Sequence, residues 1–135
     1  AYTALRLSVS EDSGRSWSSP RDIYKMGVFP KFYHMKNGAL IIAAGRVGQF
    51  LLASADNGTT WQEPLVIPTR DAHWGYCTTG YTCLWESEPD VLTVVYDDLE
   101  PDFPVPQRGT PEHEAYVFGS KHRLLIDRYH IHVQE

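Results

Sequence analysis

The chain has 135 residues, 42% hydrophobic and 21% charged, a composition typical of a globular domain that buries its own core. It contains no long apolar run, so we expect neither a membrane-spanning segment nor a membrane partner. Twelve Lys and Arg against seventeen Asp and Glu give a net charge of −5, which argues against nucleic acid as a partner.

The sequence of the N-terminal part predicts a strand followed by a turn motif. The chain starts at Ala1, not at Met, and enters a strand-like run at 5–9, so we expect the natural N-terminus to lie upstream. The sequence does not choose between a secreted, periplasmic or cytoplasmic location. The turn motif has the pattern S-x-D-x-G-x-x-W, which we call the first octet; its defining residues are Ser10, Asp12, Gly14 and Trp17.

Two β-rich runs follow, at residues 32–36 and 39–44, and they meet at Asn37-Gly38. An Asn-Gly pair between such runs is a strong hairpin signal, because both residues tolerate positive φ. The sequence therefore predicts two antiparallel strands here, leading into Arg46.

The turn motif then recurs. A shift of 44 residues takes Ser10 to Ser54 and restores the whole pattern; this second octet is defined by Ser54, Asp56, Gly58 and Trp61. Repeats of about 40 to 50 residues are typical of four-stranded propeller blades. Two full matches in one short chain make coincidence improbable.

The residue types of the octets suit a tight hairpin. Ser and Asp side chains can hydrogen-bond the turn backbone, Gly supplies positive φ, and we expect the Trp ring to fold beneath the turn and become buried. We therefore interpret Asp12 and Asp56 as structural residues and not as catalytic carboxylates.

The C-terminal part lacks a third octet. Strands are predicted at 81–85 and 91–96, a long surface loop at 98–120 and a last strand or strand pair at 123–133. In an extended segment Cys77 and Cys83 lie about 20 Å apart, so thiols are favoured over a local disulfide or a metal site.

Two polar groups in this part resemble metal sites, but we favour simpler readings. His130 and His132 share one face of a strand, with no further ligand at metal spacing, and are interpreted as surface or packing residues. An acidic run has prolines interleaved and no calcium-loop pattern, so we expect a solvated loop. The run comprises Asp97, Asp98, Glu100 and Asp102.

The fold class predicted from these elements is all-β. No segment has a convincing 3.6-residue period. We expect an outer hairpin at 2–24, one complete blade at 25–69 and a modified blade at 70–135, all parts of one propeller. Such a half-propeller leaves sheet edges unpaired, so we expect it to pair with the remaining blades, from a parent chain or from another copy.

The two octets at blade spacing resemble the Asp-box, or bacterial neuraminidase repeat, of the sialidase superfamily. The resemblance covers most of the chain and implies about three blades of a six-bladed propeller, from its C-terminal half. The motif is specific for the hairpin and not for the enzyme, because Asp-boxes also occur in propellers without sialidase activity.

One segment resembles the sialidases more closely. Gly80-Tyr81-Thr82-Cys83-Leu84 is similar to a G-Y-S-x-L segment on an inner strand of that family, with Thr82 in place of the common Ser. The resemblance implies that Tyr81 is equivalent to the family's nucleophile, since sialidases use Tyr where other glycosidases use a carboxylate. The alternative is a buried strand tyrosine with a hydrogen-bonded hydroxyl.

Further residues are implied at the ligand face. Arg46 stands 35 residues before Tyr81, where the family has an arginine that clamps the substrate carboxylate; otherwise it is a strand-end arginine paired to an acidic neighbour. The link between the last two blades would border the pocket, with packing or surface roles as the alternative. Its candidate substrate contacts are Arg70, His73, Trp74 and Tyr76.

The family's other two arginines, its general-acid Asp and the Glu that polarises the tyrosine have no matching position in this chain. The sequence therefore predicts a fragment of a sialidase-like glycoside hydrolase that needs no cofactor, takes an acidic glycan and is inactive alone. The alternative is a non-catalytic Asp-box propeller that binds carbohydrate or protein.

Overall fold

The computed structural model describes residues 3–45, 48–67, 81–99, 109–112 and 122–133. The strands in these ranges form three antiparallel sheets, so the predicted all-β class is confirmed. In chain order the strands are β1 Leu5–Leu7, β2 Arg21–Tyr24, β3 Val28–His34, β4 Leu40–Gly45, β5 Gln49–Ser54, β6 Leu65–Ile67, β7 Thr82–Glu88, β8 Val91–Leu99 and β9 His122–His130.

Each sheet is a meander in which neighbouring strands follow one another along the chain. The first sheet has the order β1-β2, the middle sheet β3-β4-β5-β6 and the last sheet β7-β8-β9. They lie within 2–24, 25–69 and 70–135 respectively. The assignment of these ranges to propeller blades stays a prediction.

The hairpin predicted at Asn37-Gly38 joins β3 to β4. The amide of Met35 donates to the carbonyl of Ala39 at 2.9 Å, and Gly38 has a φ of 90°, which favours glycine. The pairing continues from His34 with Leu40 to Val28 with Gly45. The local turn signal in the sequence was therefore sufficient to place this pair of strands.

The two central strands of the middle sheet, β4 and β5, are buried on both faces. All six residues of β4 are buried, which explains why its sequence is continuously apolar and does not alternate. Ile42 and Ala44 pack with Leu5 of the first sheet, whereas Ile41 and Ala43 pack in a cluster with Val94 of the last sheet. The three sheets thus stack face to face, each buried Ile or Val contributing about 1.5–3 kcal/mol of transfer free energy.

The last sheet corrects one expectation. Strand β8 continues to Leu99, so the loop predicted from residue 98 begins too early. Asp97 is buried and not solvated, because it accepts a hydrogen bond from the side-chain amide of buried Gln49 at 3.3 Å. The burial of Asp97 could not be predicted locally, because Gln49 lies 48 residues earlier in the chain, and Glu100 and Asp102 of the acidic run lie outside the described residues.

Cys83 carries a free, exposed thiol, and Cys77 lies outside the described residues. Within the described ranges, no helix has the length and apolar character needed to cross a membrane.

A polar junction fixes the β3–β4 hairpin to the last sheet. The Asn37 side-chain amide donates to the Asp90 carboxylate and to the Ile131 carbonyl, both at 2.9 Å. The backbone amide of Lys36 donates to the Glu86 carboxylate, also at 2.9 Å. These bonds join three turns or strand ends, and therefore set how the middle and last sheets are aligned.

We expect Asn37→Asp to destabilise the protein more than Asn37→Ala. Both variants lose the two donated hydrogen bonds, a loss on the order of 2 kcal/mol, but only the first also places a second carboxylate beside Asp90. Urea unfolding at neutral pH measures both free energies. If Asn37→Asp is as stable as the native sequence, the junction does not align the sheets.

Candidate functional site

The ends of the middle and last sheets meet at one place in the structure. Strand β3 begins beside the end of β4 and the start of β5, and β7 begins beside the end of β8. The two ends are joined by a ring contact between Phe29 and Tyr81 and by the hydrogen bond from Gln49 to Asp97. We call this the Tyr81 end.

The Tyr81 end lies away from the octets. The second octet begins at Ser54, at the opposite end of β5 from Gln49. Six residues of strand span roughly 20 Å, since each rises about 3.3 Å. The Asp56 carboxylate is therefore too far from Tyr81 to share a site with it.

Tyr81 is exposed and held by an aromatic neighbour. Its side chain is 55% exposed, so the alternative of a buried strand tyrosine is wrong. The ring stacks on that of Phe29 with centroids 4.6 Å apart and planes inclined by 23°. Such a contact fixes the orientation of an aromatic ring.

A cavity of about 440 Å³ lies beside Tyr81. Thr82 lies in its wall and is only 6% exposed, and its buried hydroxyl has no hydrogen-bond partner among the described residues. An unpaired buried hydroxyl costs about 1–3 kcal/mol. The cavity is lined by Tyr81, Thr82, Cys83, Val95, Tyr96, Asp97 and Leu124.

The sequence did not indicate three of the residues at this end. Phe29, Gln49 and Asp97 reach it from β3, β5 and β8, and none belongs to a recognisable motif. The one available signal was Gln49, an amide that opens an otherwise apolar strand and is fully buried. A buried amide requires a hydrogen-bonding partner, and here the partner is Asp97.

All of the other predicted ligand contacts lie outside the described residues. Arg46 follows Gly45, the last residue of β4, and is not itself described. The same holds for the whole predicted link. The predicted contacts there are Arg70, His73, Trp74 and Tyr76.

Two tyrosines and an aspartate on the last sheet form a hydrogen-bonded cluster that has a structural role. The Asp127 carboxylate accepts hydrogen bonds from the hydroxyls of Tyr96 at 2.7 Å and Tyr129 at 3.2 Å. Burial and the nearby Asp127 charge raise the pKa of Tyr129 to about 12, so its proton is retained. This cluster anchors β9 to β8 and offers no nucleophile.

The two histidines near the end of β9 lie together. The rings of His130 and His132 stack with centroids 6.2 Å apart. In the part of the chain that the structure describes, no three His, Cys, Asp or Glu side chains form a group that could hold a metal ion.

The first octet is closed by its own side chains. The Asp12 carboxylate accepts from the amide and hydroxyl of Ser16, at 2.8 and 2.6 Å. The Ser10 hydroxyl donates to Asp12 at 2.9 Å and accepts from the amide of Gly14 at 2.7 Å. The octet thus turns the chain through a network of charge-assisted bonds.

The second octet repeats this network. Asp56 accepts from the amide and hydroxyl of Thr60, at 2.8 and 2.6 Å, and Ser54 accepts from the amide of Gly58 at 2.8 Å. Gly14 and Gly58 have φ values of 85° and 83°. The two turns are therefore the same structure built twice.

The hydrogen bonds change the acidity of both carboxyl groups. The Ser16 hydroxyl, followed by the Ser16 amide, lowers the pKa of Asp12 from 3.8 to about 2. The Thr60 hydroxyl and amide lower the pKa of Asp56 to about 2 in the same way. Carboxyl groups this acidic stay ionised near neutral pH and cannot act as general acids.

The octet tryptophans correct a second expectation. Trp61 is half-buried and packs against the cluster between the first and middle sheets, but the Trp17 ring is 64% exposed. The prediction of a buried ring is therefore wrong for Trp17. Its indole N–H bonds the carbonyl of Gly14 at 3.2 Å, so the turn geometry persists without burial.

We expect Ser16→Ala to raise the pKa of Asp12 toward 3.8 while that of Asp56 stays near 2, since each carboxylate depends on its own hydroxyl. A lowered carboxyl pKa stabilises the fold above pH 4, and this contribution disappears as the pH falls through 2. The stability lost in Ser16→Ala should therefore shrink across that window. Carboxyl carbon shifts in an NMR titration measure both pKa values, and an unshifted Asp12 would refute the network.

Comparison with known proteins adds no relative: no family model, no curated protein and no solved structure matches this chain.

Proposed function

We propose that the chain is part of an Asp-box propeller of the sialidase-like type, which acts on sialic-acid-type or other acidic glycans at the Tyr81 end. The observation that carries the proposal is the exposed Tyr81 ring, stacked on Phe29 beside a cavity of about 440 Å³. This end lies opposite the octets, where a propeller presents its ligand face.

The stacking of the three sheets supports the propeller part of the proposal. Successive antiparallel meanders pack face to face, and the second octet touches the sheet before it, since the Arg21 guanidinium donates to the Gly58 carbonyl. A propeller is built by repeating this contact from blade to blade around an axis.

The cavity supports a glycan as the ligand. Sugars present apolar ring faces and several hydroxyls, and the lining of the cavity includes the aromatic Tyr81 and the acidic Asp97. The Asp97 carboxylate can accept hydrogen bonds from sugar hydroxyls, but it would repel the carboxylate of an acidic sugar. The preference for an acidic sugar therefore depends on Arg46.

In the catalytic form of the proposal, the Tyr81 oxygen attacks the anomeric carbon as its proton passes to a carboxylate base, and the bond to the leaving-group oxygen breaks. Water then hydrolyses the glycosyl-tyrosine and restores the phenol. A neutral phenol suits this step, because a carboxylate nucleophile would be repelled by the carboxylate of the sugar. The base and the general acid have no counterpart in this chain, so the chain alone should bind without turnover.

The Phe29 contact favours a second candidate, a propeller that binds glycans without chemistry. A stacked aromatic pair at a cavity is sufficient for sugar binding and does not require an activated hydroxyl. The two candidates differ in what a polypeptide that also carries upstream blades would do.

Binding of sialyllactose by the chain tests the location of the site. We expect Tyr81→Ala to abolish saturation transfer from protein to sugar, because the stacking surface is lost, whereas Trp17→Ala at the octet end leaves it unchanged. Loss with Trp17→Ala and retention with Tyr81→Ala would place the ligand elsewhere.

Sialic acid release by a longer polypeptide containing this chain then separates the candidates. Tyr81→Phe keeps the ring and removes the nucleophile, so turnover should fall by at least about a thousandfold with binding retained. Unchanged turnover removes Tyr81 as the nucleophile, and absence of turnover in the unmodified polypeptide favours the binding module.

A further inference from the structure

The chain contains two Asn-Gly pairs, Asn37-Gly38 and Asn57-Gly58. Asparagine before glycine is prone to spontaneous deamidation, because glycine has no side chain to hinder attack by its amide nitrogen. That nitrogen attacks the side-chain carbonyl carbon of the asparagine, so the reaction requires that both groups be free to move. The fold constrains the two pairs to different degrees.

The side chain of Asn37 is held on all sides. Its nitrogen donates to the Asp90 carboxylate and the Ile131 carbonyl, both at 2.9 Å, and its oxygen accepts from the amide of Ala39 at 3.1 Å. The attacking nitrogen is held as well, since the Gly38 amide donates to a backbone carbonyl at 3.0 Å. These hydrogen bonds must break before the ring can close, so the polar junction protects this pair.

The side chain of Asn57 is not held in this way. It is exposed, and it makes no hydrogen bond with any part of the chain that the structure describes. The constraint on this pair is the Gly58 amide, which donates to the Ser54 hydroxyl at 2.8 Å. Release of that bond is enough to free both reacting groups.

The backbone at Gly58 lies where the first and middle sheets meet. A Cβ placed on Gly58 would come within 3.3 Å of Leu7 Cδ2 and 3.6 Å of Leu40 Cδ1, so the turn packs closely against β1 and β4. The Gly58 carbonyl also accepts a hydrogen bond from the Arg21 guanidinium of β2. A change in the backbone path at 57–58 therefore disturbs the contact between the two sheets.

We propose that Asn57 is a site of spontaneous deamidation, and that its modification loosens the contact between the first and middle sheets. The Gly58 nitrogen loses its proton to solvent base and bonds to the side-chain carbonyl carbon of Asn57, while the bond from that carbon to Nδ2 breaks and ammonia leaves. Water then opens the cyclic imide to aspartate or isoaspartate. Isoaspartate adds a carbon to the backbone of the turn, and both products place a second carboxylate beside Asp56.

The first octet indicates that the turn does not need asparagine. Ser13 has the position equivalent to Asn57, with a φ of 62° against 59°, and it too is followed by glycine. Asn57→Ser therefore keeps the residue type that the repeat already uses and removes the reactive amide. The inference rests on the chemistry of this turn and is independent of the proposed glycan function.

Peptide mapping of the whole chain tests the inference. Trypsin cleaves after Lys36, Arg46 and Arg70, so the two asparagines fall in separate peptides. At mildly alkaline pH we expect deamidation at Asn57 to be at least about tenfold faster than at Asn37, because the hydrogen bonds of the polar junction slow the latter. In urea, where the fold is lost, the two rates should become similar.

Two variants locate the constraint and its consequence. Ser54→Ala should speed the reaction at Asn57 by about tenfold, since it frees the Gly58 amide. An unchanged rate at Asn37 in the same sample confirms that the fold is retained; if that rate rises too, the comparison of native and urea rates decides. After deamidation the chain should lose NOEs between the Leu7 methyl groups and Gly58 and unfold at lower urea, whereas Asn57→Ser incubated in parallel should keep both properties.

Three results would overturn the inference. They are equal rates at Asn37 and Asn57 in the folded chain, a difference between the two rates that persists in urea, and a deamidated chain that matches Asn57→Ser in its Leu7 to Gly58 NOEs and its urea midpoint. The first two would mean that the fold does not select the site. The third would mean that the modification leaves the contact between the sheets intact.

Discussion

The structure depends on a carboxylate that organises a turn from within. In each octet one Asp accepts hydrogen bonds from the backbone and the hydroxyl of a residue four positions later. Charge-assisted bonds of this kind are stronger than neutral ones, and here they close a hairpin whose Gly must have positive φ. The turn therefore fixes the strand register on either side, and with it which side chains reach each face of the sheet.

Burial of apolar side chains then holds the three sheets together in a stack. Strands β4 and β5 are buried along almost their whole length, so the centre of the middle sheet can be stable only if both of its faces are covered. Leu5 and its neighbours cover one face and the β8 side chains cover the other. The same stacking brings Phe29 onto Tyr81 and Gln49 onto Asp97, so the candidate ligand site is a product of sheet packing and not of a local motif.

Local signals predicted the parts of the fold that local chemistry determines. The Asn37-Gly38 hairpin and the two octet turns could be predicted from the sequence, because their hydrogen bonds join residues that are close in the chain. The burial of Asp97 and the stacking of Phe29 on Tyr81 could not be predicted from the sequence, since each depends on a partner about fifty residues away. The exposure of Trp17 was missed for a related reason: the octet fixes the turn, but burial of its ring depends on neighbouring strands.

The two octets hold hairpins in successive sheets that stack face to face. Methyl-to-methyl NOEs in a solution NMR spectrum measure this stacking. We expect contacts from Ile42 to Leu5 on one face of the middle sheet and from Ile41 to Val94 on the other. Contacts from Ile41 and Ile42 to the same neighbouring sheet, or from β1 directly to β6 within one continuous sheet, would contradict it.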